Sequence, residues 1–192
     1  MELQKKNHRW VYLALTGIVI LRIFDVMTPN IKYGRVFYRY GLYEEEKNKS
    51  ITRAQEFYEK AVRYNPNIAE AYYRLGRIYR EKGDLNTSLI FFQKASSLTR
   101  DLTGVFEDLG SVYEQMGQYN RAITTFEEAI HASPSDSAIH YKLGEVYLLN
   151  NQKTYALQVV RDLEHIKARE VARKLELRIL ETENLENFSS NR

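Results

Sequence analysis

The chain has 192 residues, of which 44% are hydrophobic and 28% charged, with a net charge of +3. That length suits one core or one short solenoid, and the absence of cysteine excludes disulfides and thiol chemistry. Residues 1–34 hold five Lys/Arg against two Asp/Glu and account for the whole excess, so nothing beyond them suggests nucleic-acid binding.

The first element in chain order is a basic N-terminus, residues 1–9, with Lys5, Lys6, His8 and Arg9. Residues 10–27, Trp10 to Met27, form an apolar run interrupted by Arg22 and Asp25. Its 18 residues are close to the shortest helix that crosses a hydrocarbon core. Arg22 can snorkel and pair with Asp25 at i,i+3, while Trp10 and Tyr12 suit an interfacial position at the other end. An uncleaved hydrophobic helix that anchors the chain in a membrane is expected, because no A-x-A-like cleavage site follows. A cleaved signal peptide and a soluble or partner-docked amphipathic helix are the alternatives. Lys5, Lys6 and Arg9 favour a cytoplasmic N-terminus with the rest of the chain in the periplasm or a lumen. Lys32, Arg35 and Arg39 weaken that contrast and keep the opposite placement, with the repeats cytoplasmic, in play. Residues 28–34 read as a linker.

From residue 35 the chain repeats with a period of 34. Leu75, Leu109 and Leu143 share this spacing, as do Gly76, Gly110 and Gly144, and Tyr79, Tyr113 and Tyr147. Ala54, Ser88, Ala122 and Ala156 recur as small residues, and Tyr58, Phe92, Phe126 and Val160 as large ones. Ala61, Ala95 and Ala129 close the first three units and Leu163 the fourth, while Pro66 and Pro134 stand at boundaries. Within each unit the apolar residues fall at helical spacing on two faces, one per helix. Gly83, Gly117 and Asn151 tolerate the left-handed conformation that ends a helix and supply the turns between the pair. In the third unit the helices are expected over about 103–116 and 119–132. The first unit fits only if one residue is inserted between Gly41 and its second helix.

The pattern resembles the tetratricopeptide repeat, most clearly at Phe106, Leu109, Gly110, Tyr113, Ala122, Phe126, Ala129 and Pro134. The resemblance implies an all-α fold, a right-handed α-solenoid of about four helix-turn-helix repeats over 35–170. The units are 35–68, 69–102, 103–136 and 137–170. One unit cannot bury its apolar face alone, so neighbours stack into a common core. A C-terminal capping helix over 171–182, beginning as early as 168, follows from Ala168, Ala172, Leu175 and Ile179 on one face. Residues 183–192 are expected to be a disordered polar tail.

No catalytic constellation stands out. There is no P-loop, no G-x-G-x-x-G, no H-E-x-x-H and no nucleophilic cysteine. His131 and His140 lack the spacing of helical metal ligands, and Glu44, Glu45 and Glu46 point in different directions around a helix. No metal, cofactor or small-molecule substrate is expected, and the chain reads as a non-enzyme. The family resemblance implies a scaffold that holds a protein partner, a peptide or helix, in a concave groove lined by the first helix of each unit. Carried onto this sequence, the groove residues are Tyr38, Tyr73, Arg77, Arg80, Glu107, Glu114, Tyr141 and Glu145. The Lys and Asn pairs that grip a C-terminal carboxylate in chaperone-binding members are missing at positions five and nine, which hold Tyr73/Arg77, Glu107/Ser111 and Tyr141/Glu145. The expected function is therefore a membrane-anchored adaptor that helps assemble or stabilise an envelope or membrane complex. A soluble or secreted binding module is the first alternative and an enzyme the second.

Overall fold

The computed structural model describes residues 31–99 and 103–190. The basic N-terminus and the expected anchor at 10–27 lie outside them. Among the described residues the elements are all helical, and no helix is long and apolar enough to cross a membrane. The helices are α1 (Ile31–Glu46), α2 (Ile51–Tyr64), α3 (Ala69–Glu81), α4 (Leu85–Leu98), α5 (Thr103–Gln115), α6 (Tyr119–Ala132), α7 (Ser137–Leu149), α8 (Lys153–His165) and α9 (Arg169–Ser190). They fall into two compact units divided between Ala71 and Tyr72.

In the first unit α1 packs on α2. A Cβ added at Gly41 would run into the ring of Tyr58, so glycine sets the approach of the two helices. This is the role of Gly76 against Phe92, but 17 residues separate Gly41 from Tyr58 where 16 separate Gly76 from Phe92. The extra residue lies in the connection, which spans 47–50 here and 82–84 after α3. Lys49 takes a left-handed φ of 52° in it. Tyr58 is fully buried, and its hydroxyl donates to Glu45 at 2.5 Å. That bond gives the glutamate run a structural task, because a buried phenol needs a partner.

The second unit has one continuous core running from Phe92 to Ile179. Successive helices pack in chain order, α5 on α6, α6 on α7 and α7 on α8, and α9 lies on both α7 and α8. The third repeat's helices end within a residue of expectation. Gly83, Gly117 and Asn151 have φ of 79°, 71° and 56°, as helix-ending turns require. Asp84 and Asp136 cap α4 and α7 by accepting backbone N–H donors of Thr87, and of Ala138 and Ile139. Ser88 is buried at a small-residue position and donates to the Gly76 carbonyl at 2.8 Å.

The C-terminal end differs from expectation in two ways. Val160 is smaller than the aromatic of the other repeats, and the space above Gly144 is taken by Leu175 of α9. The capping helix starts at Arg169, within the expected range, but continues to Ser190, through most of the stretch expected to be a disordered tail. Its apolar face, Ala172, Leu175 and Ile179, is buried.

Candidate functional site

The second unit carries seven of the eight groove candidates on α3, α5 and α7. Positions five, nine and twelve of a repeat fall on one side of its first helix, because they are three or four residues apart. Tyr73, Arg77 and Arg80 lie on α3, Glu107 and Glu114 on α5, and Tyr141 and Glu145 on α7, all half-buried. Tyr38 belongs to the first unit, where its ring packs on Tyr58 with centroids 5.8 Å apart.

The candidates are joined by polar contacts from helix to helix. Arg80 Nη1 donates to Asp108 Oδ1 at 2.5 Å, linking α3 to α5. Lys142 links α7 back to α5, with its Nζ 3.0 Å from Glu107 Oε1 and 3.2 Å from Ser111 Oγ. Tyr73 packs on Phe92, with centroids 5.8 Å apart. A Cβ at Gly104 would come within 2.9 Å of the Tyr73 hydroxyl, so glycine at position two gives that hydroxyl its room. Burial first, and then the charge and hydrogen bond of Asp108, push the Tyr73 phenol above its ordinary pKa. Tyr141 is raised in the same way, by burial and then Glu145. Burial and the facing Glu145 carboxylate raise Glu114, and Lys142 partly opposes them. Two like charges held near each other out of bulk water favour the protonated form.

At its C-terminal end this surface meets α9. Lys174 Nζ sits 4.3 Å from the ring centroid of Tyr141, a cation–π contact. Arg178 and Thr182 border a cavity of about 200 Å³ with Glu114, Glu145, Leu148 and Leu149. Arg80 and Tyr141 are therefore engaged by neighbours, where the sequence suggested open contacts. Arg77 is the more open cation, 39% exposed and 4.0 Å from Glu81.

Sequence reasoning overlooked Asp108, Lys142, Lys174 and Arg178. The first two had a signal: Arg74, Asp108 and Lys142 share position six and alternate in sign along the repeats. Lys174 and Arg178 had none, since α9 lies outside the repeat register.

Three family models match the chain: two described as tetratricopeptide repeat, at residues 34–68 and 57–90, and one described as TPR repeat, at 110–151. This chain is a tetratricopeptide-repeat protein. No curated protein sequence matches it. The tetratricopeptide repeats are similar in structure to the MamA protein, with a TM-score of 0.63 and 21% identity over 77% of this chain and 79% of that one. A tetratricopeptide repeat protein from Parabacteroides merdae ATCC 43184 gives a TM-score of 0.68 at 20% identity, over 77% of this chain and 59% of that one. A chain of the APC/C hetero-tetramer Cut9–Hcn1 gives 0.63 at 21%, over 75% of this chain and 29% of that one. At such identities the likeness establishes the tetratricopeptide fold.

Proposed function

We propose that this protein is an adaptor whose second unit binds an extended segment or helix of a partner protein along α3, α5 and α7. The observation that carries this reading is the surface that runs from Tyr73 through Arg77 and Glu107 to Glu114, Tyr141 and Glu145. Aromatic and charged side chains alternate there on α5 and α7, which share one core, and on α3, whose Tyr73 packs against that core. Rigid aromatics and arginines on a preorganised surface are the residue types that concentrate binding energy. The internal pairs Arg80–Asp108 and Lys142–Glu107 hold these helices in register, so that little ordering is needed when the partner docks. Residues 10–27 would tether this adaptor to a membrane and bring it to an envelope or membrane complex, a role that rests on their apolar sequence. Tyr38 would offer the partner a separate contact on the first unit.

Pull-down by the full chain tests the binding surface. Tyr73→Ala and Arg77→Ala each weaken partner capture by about 2 kcal/mol or more. Arg77→Ala leaves the melting temperature almost unchanged, while Tyr73→Ala also lowers it, because its ring packs on Phe92, so capture is compared well below both transitions. Tyr141→Ala acts in the same direction and also frees Lys174. Unchanged capture in all three would remove the groove from consideration. The tether is tested separately: membrane retention after carbonate washing should disappear when residues 1–28 are deleted. Retention by that deletion would place attachment elsewhere, and protease protection in sealed vesicles decides which side the repeats occupy.

A further inference from the structure

The second unit has another cleft, built from α6, α7 and α8, that shares no residue with the groove. It has a volume of about 230 Å³, and Glu127, Asp162, Tyr147 and Tyr155 line it together with His131 and His140. No Lys or Arg is among its lining residues. Tyr147 and Tyr155 stack with centroids 5.3 Å apart and planes 22° apart. Tyr155 is 58% exposed, which leaves its outer side open to a ligand. The Tyr147 hydroxyl donates to Glu127 Oε1 at 3.0 Å, and Gln158 donates to Asp162 Oδ1 at 3.1 Å. Both carboxylates are thereby oriented by neighbours within the unit.

The preceding repeat shows what this position can hold. Thirty-four residues earlier, Tyr113 stands at the place of Tyr147, Arg121 at that of Tyr155 and Gln93 at that of Glu127. The guanidinium of Arg121 lies over the Tyr113 ring, 5.8 Å from its centroid, and Gln93 donates to the Tyr113 hydroxyl at 2.9 Å. The third repeat thus supplies its own cation to its tyrosine. In the fourth the cation is replaced by a second aromatic ring and the neutral amide by a carboxylate, and a cleft remains.

We propose that this cleft is a second binding site, which takes an arginine side chain of a partner protein. The guanidinium would stack on Tyr155 and donate to Glu127 and Asp162. A planar, weakly hydrated cation suits both tasks, since it stacks on aromatic faces and offers forked donors to carboxylates. The site is independent of the groove and of any tether.

The test is a titration of the full chain with N-acetyl-arginine amide, followed by backbone amide shifts. N-acetyl-citrulline amide serves as the neutral isostere. The arginine derivative should move the resonances around Tyr155, Glu127 and Asp162, and the citrulline derivative should leave them in place. Tyr155→Ala should weaken binding about three- to fivefold, the usual weight of an exposed cation–π contact, and Glu127→Gln with Asp162→Asn should weaken it further. Tyr155→Arg, which restores the residue of the preceding repeat, should fill the cleft from within and abolish binding. Circular dichroism of each variant confirms that the fold is kept. Equal shifts from both derivatives, or undiminished binding by Tyr155→Arg, would overturn the proposal.

Discussion

The third and fourth repeats start from the same pattern and close in different ways. In the third, Gly110 lies against Phe126 of its own second helix, and a Cβ there would meet the ring at 2.8 Å. In the fourth, Val160 replaces the aromatic and Gly144 lies against Leu175 of α9. One repeat is thus completed by its own pair of helices, and the other by the helix that follows it. The same contrast appears at the tyrosine three residues after each glycine. Tyr113 is covered by Arg121, whereas Tyr147 is stacked on Tyr155 beside an open acidic cleft. The difference shows how one repeat pattern can give a unit closed by its own helices and a unit that depends on its cap and leaves an open cleft.

The largest effects should come from removing the residue that closes each repeat. Phe126→Ala should cost about 3–5 kcal/mol and Leu175→Ala about 2–5 kcal/mol, since both side chains are fully buried. Denaturant unfolding measures both. A Leu175→Ala cost near zero would mean that α9 is not part of the core.

Adding a single methyl group sharpens the contrast. Gly110→Ala pushes against a packed aromatic ring and should cost about 1–3 kcal/mol. Gly144→Ala meets the methyl groups of Leu175, closer than the ring lies at Gly110, and Leu175 is fully buried, so it should cost about as much. The two losses differ in what relieves them. Combining Gly144→Ala with Leu175→Ala should cost less than the sum of the two single changes, while Gly110→Ala and Leu175→Ala should add. Additive losses for the Gly144–Leu175 pair would show that α9 does not close the fourth repeat.

A smaller effect depends on pH through Tyr147. Burial first, then the hydrogen bond and charge of Glu127, push Tyr147 up to about 12. In the unfolded chain a tyrosine ionises near its usual value of about 10. Between these values the unfolded state binds fewer protons, so the contribution of Tyr147 is fully present below about pH 10 and is lost as pH rises towards 12. Wild type should lose more stability over that interval than Tyr147→Phe does, as read from urea midpoints. Parallel curves would contradict the buried phenol–carboxylate contact.

The smallest expected effect lies in the groove. Glu114 is raised by burial and by Glu145, so its contribution is largest below the usual carboxylate range and is lost as pH rises through its raised value. Glu114→Gln should therefore raise the melting temperature slightly at pH 7 and make no such gain in acid. A clear loss at pH 7 would mean that the carboxylate has a stabilising partner.

Much of the fold could be read from the sequence, because a repeat states the same instruction several times. Gly76 and Gly110, Phe92 and Phe126, and the turn glycines Gly83 and Gly117 agreed in register, and each pair does the same job in space. Gly41 was legible despite its shifted spacing, since the interhelical contact fixes which residues meet and the connection absorbs the extra one. The end of the chain was less legible. Leu175 has no repeat partner, and that it would lie on Gly144 follows from the vacancy Val160 leaves, which only the packing reveals. The arrangement of the candidate residues was half legible. Helical spacing placed Tyr73, Arg77, Glu107 and Tyr141 on one side. It could not show that Arg80 would be taken by Asp108 or Tyr141 covered by Lys174, because polar and cation–π contacts across helices depend on side chains whose partners lie 28 to 33 residues away.

The central proposal is that partner binding runs along α3, α5 and α7 of the second unit. Site-specific photocrosslinking tests it most directly, with a benzoylphenylalanine placed in turn at Tyr73, Arg77, Thr124 and Glu128 of the full chain. The groove positions Tyr73 and Arg77 should crosslink to one and the same protein, and the exposed α6 positions Thr124 and Glu128 should not reach it. Crosslinks to that protein from Thr124 and Glu128, with none from Tyr73 and Arg77, would contradict the assignment and move the working surface to the second helices.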